Sequence, residues 1–468
     1  VDFRHHSLHH LAGQVRSGQV SAREMTGHAL SRIEALNPSL NAFVAVDGAR
    51  ALEQASAVDQ IVATGGDPGA LAGIPLGVKD NEDAAGYRTT HGSALLADSA
   101  VALHDSAHVA RLRAAGCVVV GKTNLPEFAW SANTTNALFG ATHNPWNLDH
   151  SAGGSSGGAA AALAAGLVPL ATGSDGGGSI RIPSAACALA GMKPSLGRVP
   201  AGGAEGPGWL DFSSKGPMAR RMADIICALD VVVGPEATDL RSLPRPEANW
   251  RDVLDDPHVP SRVAWSPTLG YAAVDRDVMA VCERALSTLE ALGAEVVEIE
   301  PVFAVDPVGD WLTFVGACLL RSLENHRQHP SWDSMDPILA AVVDAARSTS
   351  ALEMVRVFDE CHRMNLRLVE IFHNVRLLVT PTTAAAAPPL ALGGAARING
   401  ELDPNWVKFT YPFNMTRSPA ATVCAGLTDA GLPVGLQLIG PQHADLVVLR
   451  SAAALEAAIG FDDLAPVG

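Results

Sequence analysis

Between Leu71 and Ile439 the chain alternates short apolar, β-branched runs with stretches of helical period. That alternation is the strongest constraint on its fold. It requires an α/β architecture in which helices cover both faces of a sheet. Strands are expected at 71–79, 117–120, 167–172, 262–265, 296–299, 377–380, 421–424 and 434–439. Helices are expected at 106–115, 159–165, 219–233, 276–292, 352–372 and 445–458, the first capped by Asp105 or Ser106 and stopped by Gly116. Residues 7–66 read as helices. Ser21-Ala22-Arg23-Glu24 is a capping box opening a helix that ends near Leu36, ahead of Asn37-Pro38. The Pro-rich tracts 235–257 and 380–394 read as surface connections, too short to be linkers. No internal repeat is detected, so one large domain with a twisted, mixed, mostly parallel sheet is expected.

Composition narrows the class. Hydrophobic residues make up 48% and charged residues 18% of 468 positions, which suits a sizeable buried core. The net charge is −16, from 33 basic and 49 acidic residues, and a nucleic-acid surface needs the opposite sign. The first residues, Val1 to His6, show no apolar leader, and no 18-residue apolar run is free of charge or turn residues. The seven cysteines are widely spaced without a C-x-x-C pair, and the sixteen histidines form no metal-binding spacing. Buried thiols in a reducing cytoplasm are expected, with no membrane, nucleic acid or metal.

The chemistry concentrates in glycine runs. Gly153-Gly154-Ser155-Ser156-Gly157-Gly158 precedes an Ala-rich helix, and Gly176-Gly177-Gly178-Ser179 follows an apolar strand and Asp175. Consecutive glycines leave backbone amides unshielded, so they can converge on one developing negative charge. Ser179 would stand beside them as a nucleophile. The same pattern also suits a tight strand-to-helix turn capped by Ser179, or a phosphate cradle. Lys79, between Val78 and Asp80-Asn81, ends a buried strand, where a lysine can lose its proton more easily. An ordinary lysine paired with Asp80 fits that local sequence too.

Taken together, Gly153 to Gly158, Gly173 to Pro183 and Val78-Lys79-Asp80 resemble the amidase signature family of serine hydrolases. Supporting segments are Gly121-Lys122-Thr123-Asn124, Gly191 to Arg198, Gly216 to Arg220 and Gly431 to Gln437. The resemblance implies Ser179 as nucleophile, Ser155 as relay serine at a cis peptide bond, and Lys79 as general base. It implies an oxyanion hole from the amides of Gly176, Gly177, Gly178 and Ser179, a bracing pair Asp175–Arg181, and Ser156 as a further hydrogen-bonding partner. Residues 67–230 are then the catalytic core, 1–66 a mainly helical N-terminal segment, and 231–468 the remaining sheet, helices and pocket loops. Gly176 departs from the family pattern, where Thr or Ile is frequent, and Ala152 stands where Pro is common.

The implied activity is hydrolysis of carboxylic amides by an acyl-enzyme route that needs no cofactor and also admits esters and carbamates. A small apolar or aryl amide is the expected substrate, with a monomer or homodimer as the assembly. Trp130, Trp209 and Ile180 are expected pocket walls, with Phe128, Phe139, Trp311 and Phe413 as further candidates. Loop 202–208 could act as a lid, and Arg417 could meet a substrate carboxylate or a structural partner.

Three other readings compete. The catalytic component of a glutamine-dependent tRNA amidotransferase, its A subunit, shares the same site, but commonly carries Gln where this chain has Ile182. A silent binding protein of the same fold would lack reactive residues that are present here. Gly116 to Thr123 matches a phosphate-binding G-x-x-x-x-G-K-[ST] pattern, and Ile226 to Asp230 mimics its partner strand. However, the first segment reads as a strand rather than a loop, Pro126 follows it, and Asp230 lies in a helical pattern.

Overall fold

The computed structural model describes residues 2–203 and 208–468. Its framework is eleven strands: β1 Phe43–Val46, β2 Pro75–Lys79, β3 Val118–Thr123, β4 Leu170–Asp175, β5 Gly191–Lys193, β6 Ser214–Ala219, β7 Arg262–Trp265, β8 Glu295–Glu298, β9 Leu378–Pro381, β10 Ala420–Leu427 and β11 Pro433–Ile439. One sheet has the order β1-β3-β2-β4-β6 and the other β8-β7-β9-β11-β10-β5. An isolated bridge between Ala190 and Ala219, just before β5 and at the end of β6, joins them into one continuous surface.

The parallel heart of the first sheet is β3-β2-β4. Every residue of these three strands is buried, as expected of parallel strands covered on both faces. Helices Ala107–Ala114 and Gly157–Ala164 lie on the crossovers β2 to β3 and β3 to β4. Antiparallel β1 and β6 close the edges. The α/β class and the mixed sheet hold, but the sheet is not mostly parallel. Of these nine strand pairings, among the described residues, four are parallel and five antiparallel. Among the antiparallel pairings, β10 to β11 is a tight connection that needs no crossover helix, whereas the others bring together strands distant in sequence.

Helix Gly157–Ala164 is buried on all sides. A Cβ on Gly158 would lie 2.5 Å from the Ala42 carbonyl oxygen, so only glycine lets this helix start against β1 and β3. A second core gathers helices Val308–Leu323, Pro337–Ala346 and Ala351–Phe372 around Phe314, Leu339 and Met364.

Four local expectations change. Helix Ala22–Leu40 runs through Asn37-Pro38. Pro38 sits in its last turn, and the Asn37 side chain accepts the N–H groups of Ala42 and Phe43 just beyond it. Residues 43–46, read as helix, form the edge strand β1. Residues 214–219, overlapping the start of an expected helix, form β6, and the helix begins at Met222. The tract 380–394 is not wholly surface. Thr380, Pro381, Thr382 and Thr383 are buried, and the N–H groups of Thr382 and Ala384 are taken by Gly435 and Trp406 carbonyls.

Candidate active site

The site forms where β2 and β4 end on the same edge of the sheet, the usual place for chemistry in an α/β fold. β2 delivers Lys79. Its Nζ lies 2.8 Å from Ser155 Oγ, 2.8 Å from Ser156 Oγ and 3.1 Å from Ser174 Oγ. Lys79, Ser155 and Ser156 have no exposed surface, while Ser179 is 8% exposed. The peptide bond between Gly154 and Ser155 is cis. The Ser156 N–H donates to the Ser179 carbonyl at 3.3 Å, which holds the two serine-bearing loops together.

Burial holds the Lys79 amine well below the ordinary lysine range. Positive charge on Lys215 adds to this, against the opposite pull of Glu82 and Asp175. Its polar neighbours are hydroxyls, which can exchange protons with a neutral amine. Asp80, the local alternative partner, turns to Lys122 instead, at 3.2 Å.

Past β4 the chain turns through Gly176 to Ile180 into helix Arg181–Ala186. Asp175 and Arg181 brace this turn, both fully buried and paired through Arg181 Nη2 at 2.8 Å and Nε at 3.0 Å. Arg181 also donates to the Thr410 carbonyl, Gln437 Oε1 and Asn414 Oδ1. Burial raises the Asp175 carboxyl, but Arg181, with Lys193 and Asn414, outweighs it and holds the group down at about 2. Gly178 departs from expectation. Its N–H donates to Asp175 Oδ1 at 2.8 Å, so it serves the brace.

An aromatic cluster stands over the turn. Trp311 Nε1 donates to the Gly176 carbonyl at 3.0 Å. Its ring lies 6.1 Å from Trp130, 5.8 Å from Trp209 and 5.8 Å from Tyr411. A Cβ on Gly176 would run into the Trp209 ring, and one on Gly177 would lie 2.6 Å from Trp311. The missing side chain at 176 is thus filled by tryptophan from another part of the chain.

Ile180 is not a pocket wall. It is fully buried in the main core, over Gly173 of β4 and Gly216 of β6. Phe413 is fully buried in the second core. Phe128 stacks on His91, and Phe139 is part-buried beside Asn41, which donates to its carbonyl. Arg417 pairs with Asp211 at 2.9 Å, the structural alternative for that residue. Most of loop 202–208 lies outside the described residues. Asn414, Tyr411 and Lys215 were missed, because nothing in their local sequence marks them as neighbours of residues more than thirty positions away.

The phosphate-loop match dissolves in the structure. Residues 118–123 form a strand, with the Lys122 amine on the Glu82 and Arg88 carbonyls, and Asp230 lies in helix Met222–Val232. Among the described residues no helix is long and apolar enough to cross a membrane.

The Amidase family model matches residues 24–449. The chain belongs to the amidase signature family. An acylamidase of Rhodococcus erythropolis is 38% identical over 97% of this chain and 96% of its own length. The A subunit of the glutamyl-tRNA(Gln) amidotransferase of Synechococcus sp. (strain CC9605) is 34% identical over 91% of each chain. Among solved structures, a bacterial aryl acylamidase of the amidase signature family superposes with a TM-score of 0.90 at 30% identity, covering 97% of this chain and 96% of its own. A 6-aminohexanoate cyclic dimer hydrolase also reaches 0.90, at 28% identity over the whole of both chains. The protein is thus an amidase signature hydrolase with a single-domain α/β fold.

Proposed function

We propose that this amidase hydrolyses apolar aryl amides through an acyl-enzyme, with Ser179 as nucleophile, Ser155 as relay and Lys79 as base. The observation that carries the reading is the buried Lys79 amine within 2.8 Å of two serine hydroxyls and with its proton affinity lowered. Neutral Lys79 takes a proton from Ser155 as Ser155 takes one from Ser179. Ser179 attacks the amide carbon, and the amides of Gly176, Gly177 and Ser179 receive the oxyanion. The proton returns through Ser155 to the departing amine, and water then releases the acid. Ser156 holds the Lys79 amine in place.

The tryptophans 130, 209 and 311 favour flat apolar groups, since aromatic faces gain from stacking. Likeness to an acylamidase and to an aryl acylamidase points the same way. Esters and carbamates are open to the same route, which makes urethane cleavage part of the proposal. The competing amidotransferase reading rests on the relatives that belong to that enzyme. Buried, apolar Ile182 disfavours it, since that position offers no amide to read glutamine.

The test is release of 4-nitroaniline from a short acyl anilide and from the matching ethyl carbamate, by wild type beside Ser179→Ala. Turnover that disappears in the variant is expected, with the anilide preferred. Glutaminase activity without anilide turnover would move the amidotransferase reading to the front.

A further inference from the structure

A second lysine faces this end of the sheet. Lys215 on β6 stands directly opposite Ser174 of β4 in the antiparallel register. Residues paired in this way send their side chains to the same face. Ser174 Oγ is itself 3.1 Å from Lys79 Nζ, so Lys215 lies on the catalytic side of the sheet.

Lys215 is also held there. Its ammonium is 3.7 Å from Glu82 Oε1, and Glu82 is fully buried. The other oxygen, Oε2, lies 3.2 Å from Nδ1 of buried His108 and 3.4 Å from Ser106 Oγ. Oε1 has no hydrogen-bond partner among the described residues, so it is the oxygen left to Lys215. Burial alone would raise the Glu82 carboxyl, but Lys215 and His108 hold it down at about 2, so the tether is charged at working pH. The Glu82 N–H donates to the Lys79 carbonyl at 3.0 Å, which fixes this unit to the end of β2.

The charged groups facing Lys79 come from three elements: Lys215 on β6, Glu82 just after β2, and Asp175 at the end of β4. Asp175 is paired with Arg181, and Glu82 is shared between Lys215 and His108. Asp175 is therefore largely spent elsewhere, and Glu82, divided between Lys215 and His108, offsets the charge of Lys215 only in part. An adjacent cation is one of the ways to make a lysine a better base at neutral pH.

We propose that Lys215, tethered by Glu82, is a positioning residue whose positive charge adds to burial in keeping Lys79 in its proton-accepting form and so shifts the acid edge of activity. This rests on the Ser179–Ser155–Lys79 reading above. In the sequence Lys215 is an unremarked residue before Gly216-Pro217.

The test compares pH profiles of kcat/KM on the anilide for wild type, Lys215→Met and Lys215→Arg, with each variant's fold checked by thermal unfolding. Loss of the neighbouring charge makes protonated Lys79 easier to form, so the acid limb of Lys215→Met moves to higher pH. The ratio of kcat/KM on the alkaline plateau to that at the acid end rises about tenfold. Lys215→Arg restores the wild-type limb. If Lys215→Met does not fold, Lys215→Gln carries the same expectation. A folded variant with an unmoved limb, while Ser179→Ala and Lys79→Ala are dead, overturns the role of Lys215 alone. Turnover surviving in Lys79→Ala overturns the triad and this proposal together.

Discussion

Lys79 and Lys122 lie near the ends of adjacent parallel strands, one register step apart, and neither has any exposed surface. Their surroundings differ completely. Lys122 meets the Asp80 carboxylate at 3.2 Å, the Glu82 carbonyl at 2.7 Å, the Arg88 carbonyl at 3.2 Å and Thr89 Oγ1 at 3.0 Å. Lys79 meets three serine hydroxyls. Burial lowers both amines, but Asp80 pulls Lys122 back toward its charged form. The lesson is that burial creates the possibility of a neutral, proton-accepting amine, and the partners decide whether it is realised. A carboxylate and carbonyls make a structural cation that pins segment 80–90. Hydroxyls leave an amine free to take a proton.

The largest effects test that division directly. Lys79→Met should cost roughly a thousandfold or more in kcat/KM, while the fold stays intact. Lys122→Met should instead strand the buried Asp80 charge and cost about 3–5 kcal/mol in urea unfolding. Similar losses of both kinds in the two variants would break the comparison. Asp80→Asn comes next. It removes the charge partner of Lys122 but keeps a hydrogen-bonding group, for a loss of about 2 kcal/mol. The double variant Asp80→Asn/Lys122→Met should recover part of the summed loss, and simple additivity would show that the pair is not coupled.

A third buried cation, Arg181, sharpens the same point through pH. Asp175 is lowered from 3.8 to about 2, so folding favours its ionised form. The resulting stability is present above the ordinary value of 3.8 and is lost as pH falls toward 2. About 2 kcal/mol should disappear across that window in unfolding experiments, and Asp175→Asn should flatten the slope. The smallest effect concerns the turn beside Lys79. Gly176→Ala should collide with Trp209 and raise KM for the anilide roughly tenfold. Combining it with Trp209→Leu should restore part of the loss, and no restoration would mean that the tryptophan does not fill the space left by Gly176.

Much of the site could be read before the fold was known. Ser155, Ser179, Lys79 and the Asp175–Arg181 pair lie in short segments that resemble the family's motifs, where glycines and candidate reactive side chains stand together. The long helices 276–291 and 351–372 were equally legible from their period and caps. β6 was not, because Gly216 and Pro217 interrupt any strand pattern across Ser214 to Ala219. At the edge of its own sheet such residues are tolerated. Helix Val308–Leu323 was missed as well, since Gly309 and Gly316 interrupt its pattern and packing against helix Pro337–Ala346 supplies the compensation.

By itself the sequence determined the class of fold, the family and the candidate reactive groups, because periodicity, glycine runs and adjacent serines act over a few residues. The tertiary structure decided that Lys79 meets serine hydroxyls while Lys122 meets a carboxylate, that Gly178 belongs to the brace, that Ile180 faces the core, and that tryptophans 209 and 311 stand over the turn. Those outcomes depend on groups distant in sequence becoming neighbours. Proton affinity and pocket shape follow from that shared environment, which no local segment contains.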